Sequence, residues 1–307
     1  MAQRIVVTGG AGFVGSHLVE LLASAGARVS VIDDLSRGRR AWLHPDAELH
    51  ELDLRDADAV SAVLRSARPD VVVHLAAMHF IPAVDGAPEL AWDVNVNATR
   101  VLVDALAARP PERLLFASTA AVYPDCAGPI DEAQAAKPLD LYGRTKLEGE
   151  RLVAELEAKT GTRALVARIF NVVGRRETNA HVVPELVGQL RGGNTVVRLG
   201  NLENRRDYTD VRDVADALHR LLAVADGSPA TFNVGAGRST SVAELVRMCG
   251  EILGRRVEIE SHEQRRRSQD RAELVADARL LRATTAWEPR WTLRETIADL
   301  LAAPDAG

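Results

Sequence analysis

Up to about Asn171 the chain alternates short apolar, β-branched runs with longer stretches of helical periodicity, the pattern of a parallel sheet covered by helices. The spacing predicts strands at Arg4–Val7, Arg28–Ile32, Glu48–Leu52, Val71–Leu75, Arg113–Ala117 and Ala164–Ile169. Helices are predicted at Val14–Ser24, Ala57–Ser66, Ala91–Ala107 and Leu141–Lys159. Runs such as Ile5-Val6-Val7 and Val71-Val72-Val73 are apolar on both parities, as strands buried on both faces must be. Beyond Asn171 the alternation loosens. Segments rich in Gly, Asn and Arg (Arg191–Asn194, Gly200–Arg206) separate helices expected at Val211–Val224, Val242–Leu253 and Thr292–Leu301. The expected fold is α/β: a doubly wound parallel sheet over residues 1–171 and a smaller C-terminal α/β portion over 172–307. Some of the second portion, near Thr231–Val234, is expected to return to the sheet.

Composition narrows the function classes. The 307 residues are 47% hydrophobic and 26% charged, enough for a sizeable core without disulfides or metals. A formal charge of −5 gives no general attraction to nucleic acid or an anionic membrane, the local cluster Arg265-Arg266-Arg267 being the exception. The two cysteines, Cys126 and Cys249, stand in no CxxC or Cys/His ligand spacing, so neither a disulfide framework nor a metal site is expected. The first apolar run passes straight into glycines, and no apolar stretch is long enough for a membrane span; a cytoplasmic protein is expected. Of the 38 basic residues only three are lysines, Lys137, Lys146 and Lys159, so the position of a lysine here carries information.

The first strand runs into Thr8-Gly9-Gly10-Ala11-Gly12-Phe13-Val14-Gly15, and a helix begins at once. Glycines in such a turn let the backbone approach a pyrophosphate, and the helix N-terminus offers free N–H groups and the positive end of its dipole. Gly10, Gly12 and Gly15 fit GxGxxG, while Gly9, Gly12 and Gly15 fit GxxGxxG. The next strand ends in Asp33, eighteen residues after Gly15, where a carboxylate accepts from an adenosine ribose 2′-OH and repels a 2′-phosphate. NAD is therefore favoured over NADP, with Arg37 pulling slightly the other way. Asp53, ending the third strand, is either a hydrogen-bond partner for the adenine amine or a solvated strand-end carboxylate.

Tyr142 and Lys146 stand four apart on one predicted helix, so phenol and ammonium share a face. A free tyrosine has a pKa of about 10; a nearby cation favours the phenolate and lowers it. The pair is a working unit for removing a hydroxyl proton while hydride leaves the same carbon. Ligands of a parallel sheet bind beyond the carboxyl ends of its strands, where Gly9–Gly15, Asp33, Leu75–Ala77 and Ser118-Thr119 all fall. Thr119 is then a hydrogen-bond donor to the substrate oxygen.

The chain resembles the extended short-chain dehydrogenase/reductases, the NAD-dependent sugar-nucleotide epimerases and dehydratases, and most broadly the UDP-glucose 4-epimerase type. The likeness runs nearly end to end: Thr8–Gly15, Val72–Ala77, Asn95-Val96-Asn97, Phe116–Pro124, Tyr142–Lys146, Arg168–Gly174, Arg206–Asp213 and Phe232–Gly237. It implies an NAD site over residues 1–171 formed by Gly9, Gly12, Phe13, Val14, Gly15, Asp33, Asp34, Arg37, Gly38, Asp53 and Leu54. Leu75, Ala76, Ala77, Asn95, Ser118, Tyr142, Lys146 and Phe170 would complete it. It further implies that Asn171, Arg206 and a C-terminal arginine, Arg265 to Arg267 or Arg271, meet a nucleotide diphosphate, which guanidinium groups pair with bidentately.

Departures from the family's patterns bear on the reaction. Ala120-Ala121 stands where the 4,6-dehydratases carry Asp-Glu, and Ala121 stands where decarboxylases have Glu and 3,5-epimerising members have Cys. Cys126 lies on the wrong side of Tyr123 to replace that cysteine. A methyl group moves no proton. What remains, Thr119, Tyr142, Lys146 and NAD, is the toolkit of a 4-epimerase working through a transient 4-keto sugar. The alternatives are a sugar-nucleotide 4-reductase or dehydrogenase, a non-classical dehydratase, or a non-catalytic NAD-binding protein. His79, in His79-Phe80-Ile81-Pro82, is expected to contact a sugar hydroxyl or to cap its loop; the other histidines are expected to be structural or solvated. In similar proteins the helices corresponding to Ala91–Ala107 and Leu141–Lys159 pair in a dimer, so a homodimer is expected.

Overall fold

The computed structural model describes residues 2–261 and 271–303, without the side chain of residue 261. Strand β1 (Arg4–Thr8) lies inside a seven-stranded sheet because Ile5, Val6 and Val7 are apolar on both faces and almost fully buried. The chain leaves it through α1 (Phe13–Ser24), returns on β2 (Arg28–Asp33) and β3 (Glu48–Glu51), and crosses by α2 (Ala57–Ala67) to β4 (Val71–His74). Two short helices, α3 (Ile81–Gly86) and α4 (Pro88–Trp92), precede a π-helical turn at Asp93–Asn97 and then α5 (Ala98–Ala108). Strand β5 (Arg113–Thr119), the short β6 (Pro129–Ile130), the long α6 (Leu141–Thr160) and β7 (Arg163–Ile169) complete this part.

The helix expected at Ala91–Ala107 is thus interrupted. Prolines head α3 and α4, where a missing N–H costs nothing. The π turn holds Asn95, whose amide is hydrogen-bonded outside the helix; such turns often occur at functional sites.

The second portion opens with β8 (Asn171–Val173), α7 (Val182–Arg191), β9 (Val196–Leu199), β10 (Arg205–Asp210) and α8 (Val211–Leu221). It continues through β11 (Thr231–Val234), β12 (Ser239–Ser241), α9 (Val242–Leu253) and β13 (Glu258–Ser261), and ends with β14 (Glu273–Ala276), α10 (Arg279–Thr285) and α11 (Leu293–Ala302). Strand β11 pairs in parallel with β7, so the main sheet reads β11-β7-β5-β4-β1-β2-β3. Helices α1, α8 and α10 with Trp287 pack one face; α2, α5 and α6 pack the other. A second sheet joins β12, β10, β14 and β6, with β8 beside β10, and α7, α9 and α11 enclose a separate apolar cluster. The loop after β4 meets the second portion through His79 and Asn179, and the turn after β5 meets it through Tyr123 and Leu274.

Candidate active site

Between β1 and α1 the backbone turns at Gly9, whose φ is +70° and whose added Cβ would lie 2.7 Å from the Ala76 nitrogen. At Gly15 a Cβ would stand 2.1 Å from the Gly9 carbonyl oxygen. Both positions therefore require glycine. The Gly9, Gly12, Gly15 spacing carries the turn, while Gly10 packs against the Val31 side chain. Helix α1 begins at Gly12 with no side-chain cap and no acidic residue in its first turn, so its N-terminus keeps its affinity for an anion. Phe13 and Val14, half-buried, form that first turn.

Asp33, buried at the end of β2, accepts from the N–H groups of Ala11 (3.0 Å) and Leu35 (2.9 Å). Burial raises its pKa while these bonds act in the opposite direction. Asp34 closes its own loop by accepting from the Ser36 N–H and hydroxyl. Gly38 lies directly against Ala11, bringing the loop after β2, with exposed Arg37, beside the glycine turn. Asp53 is held by Arg55, with guanidinium bonds of 2.6 and 3.0 Å, and Leu54 is buried behind it. Leu75, Ala76 and Ala77 continue from β4, half-buried. A turn that admits no Cβ, an uncapped helix end and a buried strand-end carboxylate together fit a dinucleotide.

On the other side of β4, Asp140 caps α6 by accepting from Gly143 N–H at 2.7 Å. The cap places Tyr142 in the first turn, close enough to Thr119 at the end of β5 for that hydroxyl to act on its pKa. Thr119 accepts from the Ala121 N–H at 3.2 Å, which leaves its hydroxyl proton free to donate. Burial drives the Tyr142 pKa well above its ordinary value, and the Thr119 hydroxyl works against that rise. Lys146, one turn along, is buried, and its pKa is pulled down to about 7 by desolvation, opposed by Glu150. Its ammonium lies 4.2 Å from the centre of the Phe116 ring, a cation–π contact.

At the far end, Asn171 on β8 pairs with Tyr208 of β10, and half-buried Arg206 lies two residues before Tyr208. Phe170 is buried between β7 and β8 among Val122, Tyr123 and Leu274. His79, after β4, meets Asn179 through Nε2 at 3.1 Å. Arg265 to Arg267 lie outside the described residues.

A profile of the NAD-dependent epimerase/dehydratase family matches residues 5–235. The chain belongs to that family. It is 34% identical to the UDP-glucose 4-epimerase of Corynebacterium glutamicum, over 97% of this chain and 94% of that one. The UDP-glucose 4-epimerase of Thermotoga maritima, solved with UDP-glucose, superposes with a TM-score of 0.90 at 29% identity, covering 97% of each chain. That of Thermus thermophilus, solved with NAD, gives 0.89 at 29% identity, covering 97% of this chain and 98% of that one.

Within this epimerase/dehydratase fold, three residues expected to meet a ligand also hold protein partners. Arg271, expected at the diphosphate, is buried; it pairs with Asp140 (3.3 Å) and donates to the carbonyls of Ala121 (2.9 Å) and Tyr123 (3.0 Å). It fastens the cap of α6 to the turn after Thr119. Asn95, expected against NAD, uses its amide on the Met78 backbone (2.7 and 2.9 Å) and the Thr145 hydroxyl (3.0 Å). It positions the loop after β4 against α6. The Ser118 hydroxyl donates to Glu150 at 2.5 Å, joining a buried pair in which Arg168 grips Glu150 at 2.7 and 3.0 Å.

Nothing in the local pattern marks Glu177, Asn179 or His181, since their partner His79 stands about a hundred residues earlier. His181 packs: its ring stacks on His79 with centroids 5.9 Å apart and meets Phe80 edge-on. The buried Thr8–His74–Thr99 chain, at 2.6 and 2.9 Å, was equally hidden in the sequence. It ties β1, β4 and α5 together.

Proposed function

We propose that the protein inverts C4 of a nucleotide-diphosphate sugar by way of a 4-keto intermediate. It is an NAD-dependent sugar-nucleotide 4-epimerase. The observation that carries this reading is the placement of Tyr142, in the first turn of α6, close to Thr119 at the end of β5, at the carboxyl edge of the sheet beside a glycine turn that fits a dinucleotide. Ala120 and Ala121, both buried, offer no second acid or base next to Thr119, which favours epimerisation over elimination of water.

Bound NAD would take hydride from C4 and return it. Tyr142 removes the C4 hydroxyl proton and later gives it back, with Thr119 fixing its oxygen. Burial holds the phenol protonated, so Lys146, one helical turn away, must supply the charge that makes proton removal accessible; its ammonium also binds the nicotinamide ribose. The glycine turn, Asp33 and the loop Asp34–Gly38 hold the adenosine and pyrophosphate, with Asp53, Leu54 and Leu75–Ala77 bordering the cofactor. Asn171 and Arg206 hold the substrate diphosphate about which the keto sugar turns over. The NAD-binding part is assigned to residues 1–171, and the sugar-nucleotide part mainly to 172–307.

We place the enzyme in the cytoplasm, in keeping with its two free cysteines; among the described residues no helix is long and apolar enough to cross a membrane. A homodimer through α5 and α6 is supported by the exposed Leu90 and Trp92 on the adjoining α4.

The test is to incubate purified enzyme with UDP-glucose, and then with GDP-, CDP-, ADP- and dTDP-hexoses, without added dinucleotide, and follow C4 inversion by NMR. Catalytic turnover that Tyr142→Phe abolishes supports the reading. Stoichiometric consumption of added NAD or NADH instead identifies a dehydrogenase or reductase and overturns it.

A further inference from the structure

His79, Glu177 and His181 converge where the loop after β4 meets the loop before α7. One ligand atom from each lies within 4.8 Å of the other two, and the three side chains are half-buried. One further contact shows that His79 and Glu177 face a common point. The Asn179 side-chain nitrogen donates both to His79 Nε2 (3.1 Å) and to Glu177 Oε1 (3.2 Å), so an electropositive group already bridges them. Among the described residues no arginine or lysine pairs with Glu177.

From this geometry we propose that His79, Glu177 and His181 bind a divalent transition cation of the zinc class. Two imidazoles and one carboxylate suit zinc or cobalt, whereas magnesium and calcium prefer all-oxygen shells. Zinc bonds of about 2.0–2.1 Å require the ligand atoms to close by roughly an ångström, which rotation of the Glu177 side chain and withdrawal of the Asn179 amide achieve. Three protein ligands leave a coordination position open to an oxygen donor. The cation would clamp the loop carrying His79 to the N-terminus of α7, where His181 stands immediately before Val182. None of the roles given to Tyr142, Lys146 or Thr119 depends on it.

The experiment uses untagged, NAD-loaded enzyme freed of metal by a chelator and titrated calorimetrically with Zn²⁺; Co²⁺ is added separately and its visible d–d absorption recorded. One equivalent of Zn²⁺ should bind, with affinity reduced at least tenfold in both His181→Ala and Glu177→Gln, and the cobalt bands should vanish in those variants. Retained NAD and an unchanged far-ultraviolet dichroism spectrum confirm that each variant is folded, and the isosteric glutamine provides the second test if the alanine variant is not. Wild-type enzyme that takes up no stoichiometric zinc, or variants that bind it as tightly, overturns the proposal.

Discussion

Lys146 Nζ lies 4.2 Å from the centre of the Phe116 ring, buried from solvent in the second turn of α6. A lysine so placed releases its proton near pH 7, while the same lysine in the unfolded chain keeps it to about pH 10.4. Between those limits the unfolded chain binds more protons, so stability rises with pH by up to about 1.4 kcal/mol per pH unit. In NAD-free enzyme, the wild type should gain stability between pH 7 and 9 relative to Lys146→Met. Chemical denaturation of both proteins across that range checks it; a constant difference between them would exclude the shifted lysine.

Removing the phenol oxygen should affect chemistry and leave cofactor binding in place. Tyr142→Phe is expected to lower kcat by about 10²–10⁴-fold, the usual range for a positioned acid–base group. Its NAD content after gel filtration should match the wild type. Thr119→Ala should lower kcat by a smaller factor, because the phenol keeps its proton but loses the hydroxyl that fixes it. Steady-state kinetics of C4 inversion and cofactor release on denaturation give both readings.

Gly9→Ala should abolish cofactor retention. The new methyl group would meet the Ala76 backbone at 2.7 Å in a left-handed conformation, costing on the order of 1–3 kcal/mol in strain alone and displacing the turn. Gly26→Ala makes a useful control, since its φ is also positive but open space surrounds it. It should lose some stability and keep its NAD, as absorbance of the isolated proteins will show.

Glu150 and Arg168 form a buried ion pair with side chains 11% and 10% exposed. Glu150→Gln leaves the guanidinium without its counter-charge and should cost about 3–5 kcal/mol of stability. Arg168→Met with Glu150→Gln should recover part of that loss. Urea denaturation of the single and double variants measures the coupling; additive losses would contradict a paired role.

His74 gives a prediction in acid. Burial lowers its pKa to about 3, whereas the unfolded residue titrates near 6.5, so stability should fall as pH drops below about 6.5. In His74→Gln this contribution to the acid loss should be missing, although the bonds to Thr8 and Thr99 will be weakened. The slopes of stability against pH between 6.5 and 4.5 distinguish the two proteins.

What was legible in the sequence follows from where its information is local. The central strands of the first portion are apolar on both faces, and the six expected strands agree with the structure to within two residues; the two-residue β6 carries too short a pattern to be read and was missed. Tyr142, Lys146 and the glycine turn stood out because each is a short, fixed spacing. Strand β10 was hidden because Arg205–Asp210 reads as a polar loop, its burial coming from the second sheet and from carboxylates held by backbone N–H groups. Asp207, for one, accepts from Ala236, Gly237 and Ala276. Helix α7 has apolar residues at helical spacing, Val183, Leu186, Val187 and Leu190, but follows a segment with no strand signal to frame it. The side-chain network at His79 was illegible for a different reason: only the fold brings residues so distant in sequence together.

The pairing of β11 with β7 limits how this protein can be re-engineered. Cutting after Asn171 would strip the outer strand from the nucleotide sheet together with α8 and Trp287, uncovering Phe232's neighbours in the apolar layer beneath. Specificity could not be exchanged by splicing the rear half of a relative onto this front half. A workable chimaera would transplant only the intervening excursions, leaving the returning strand and its helices native.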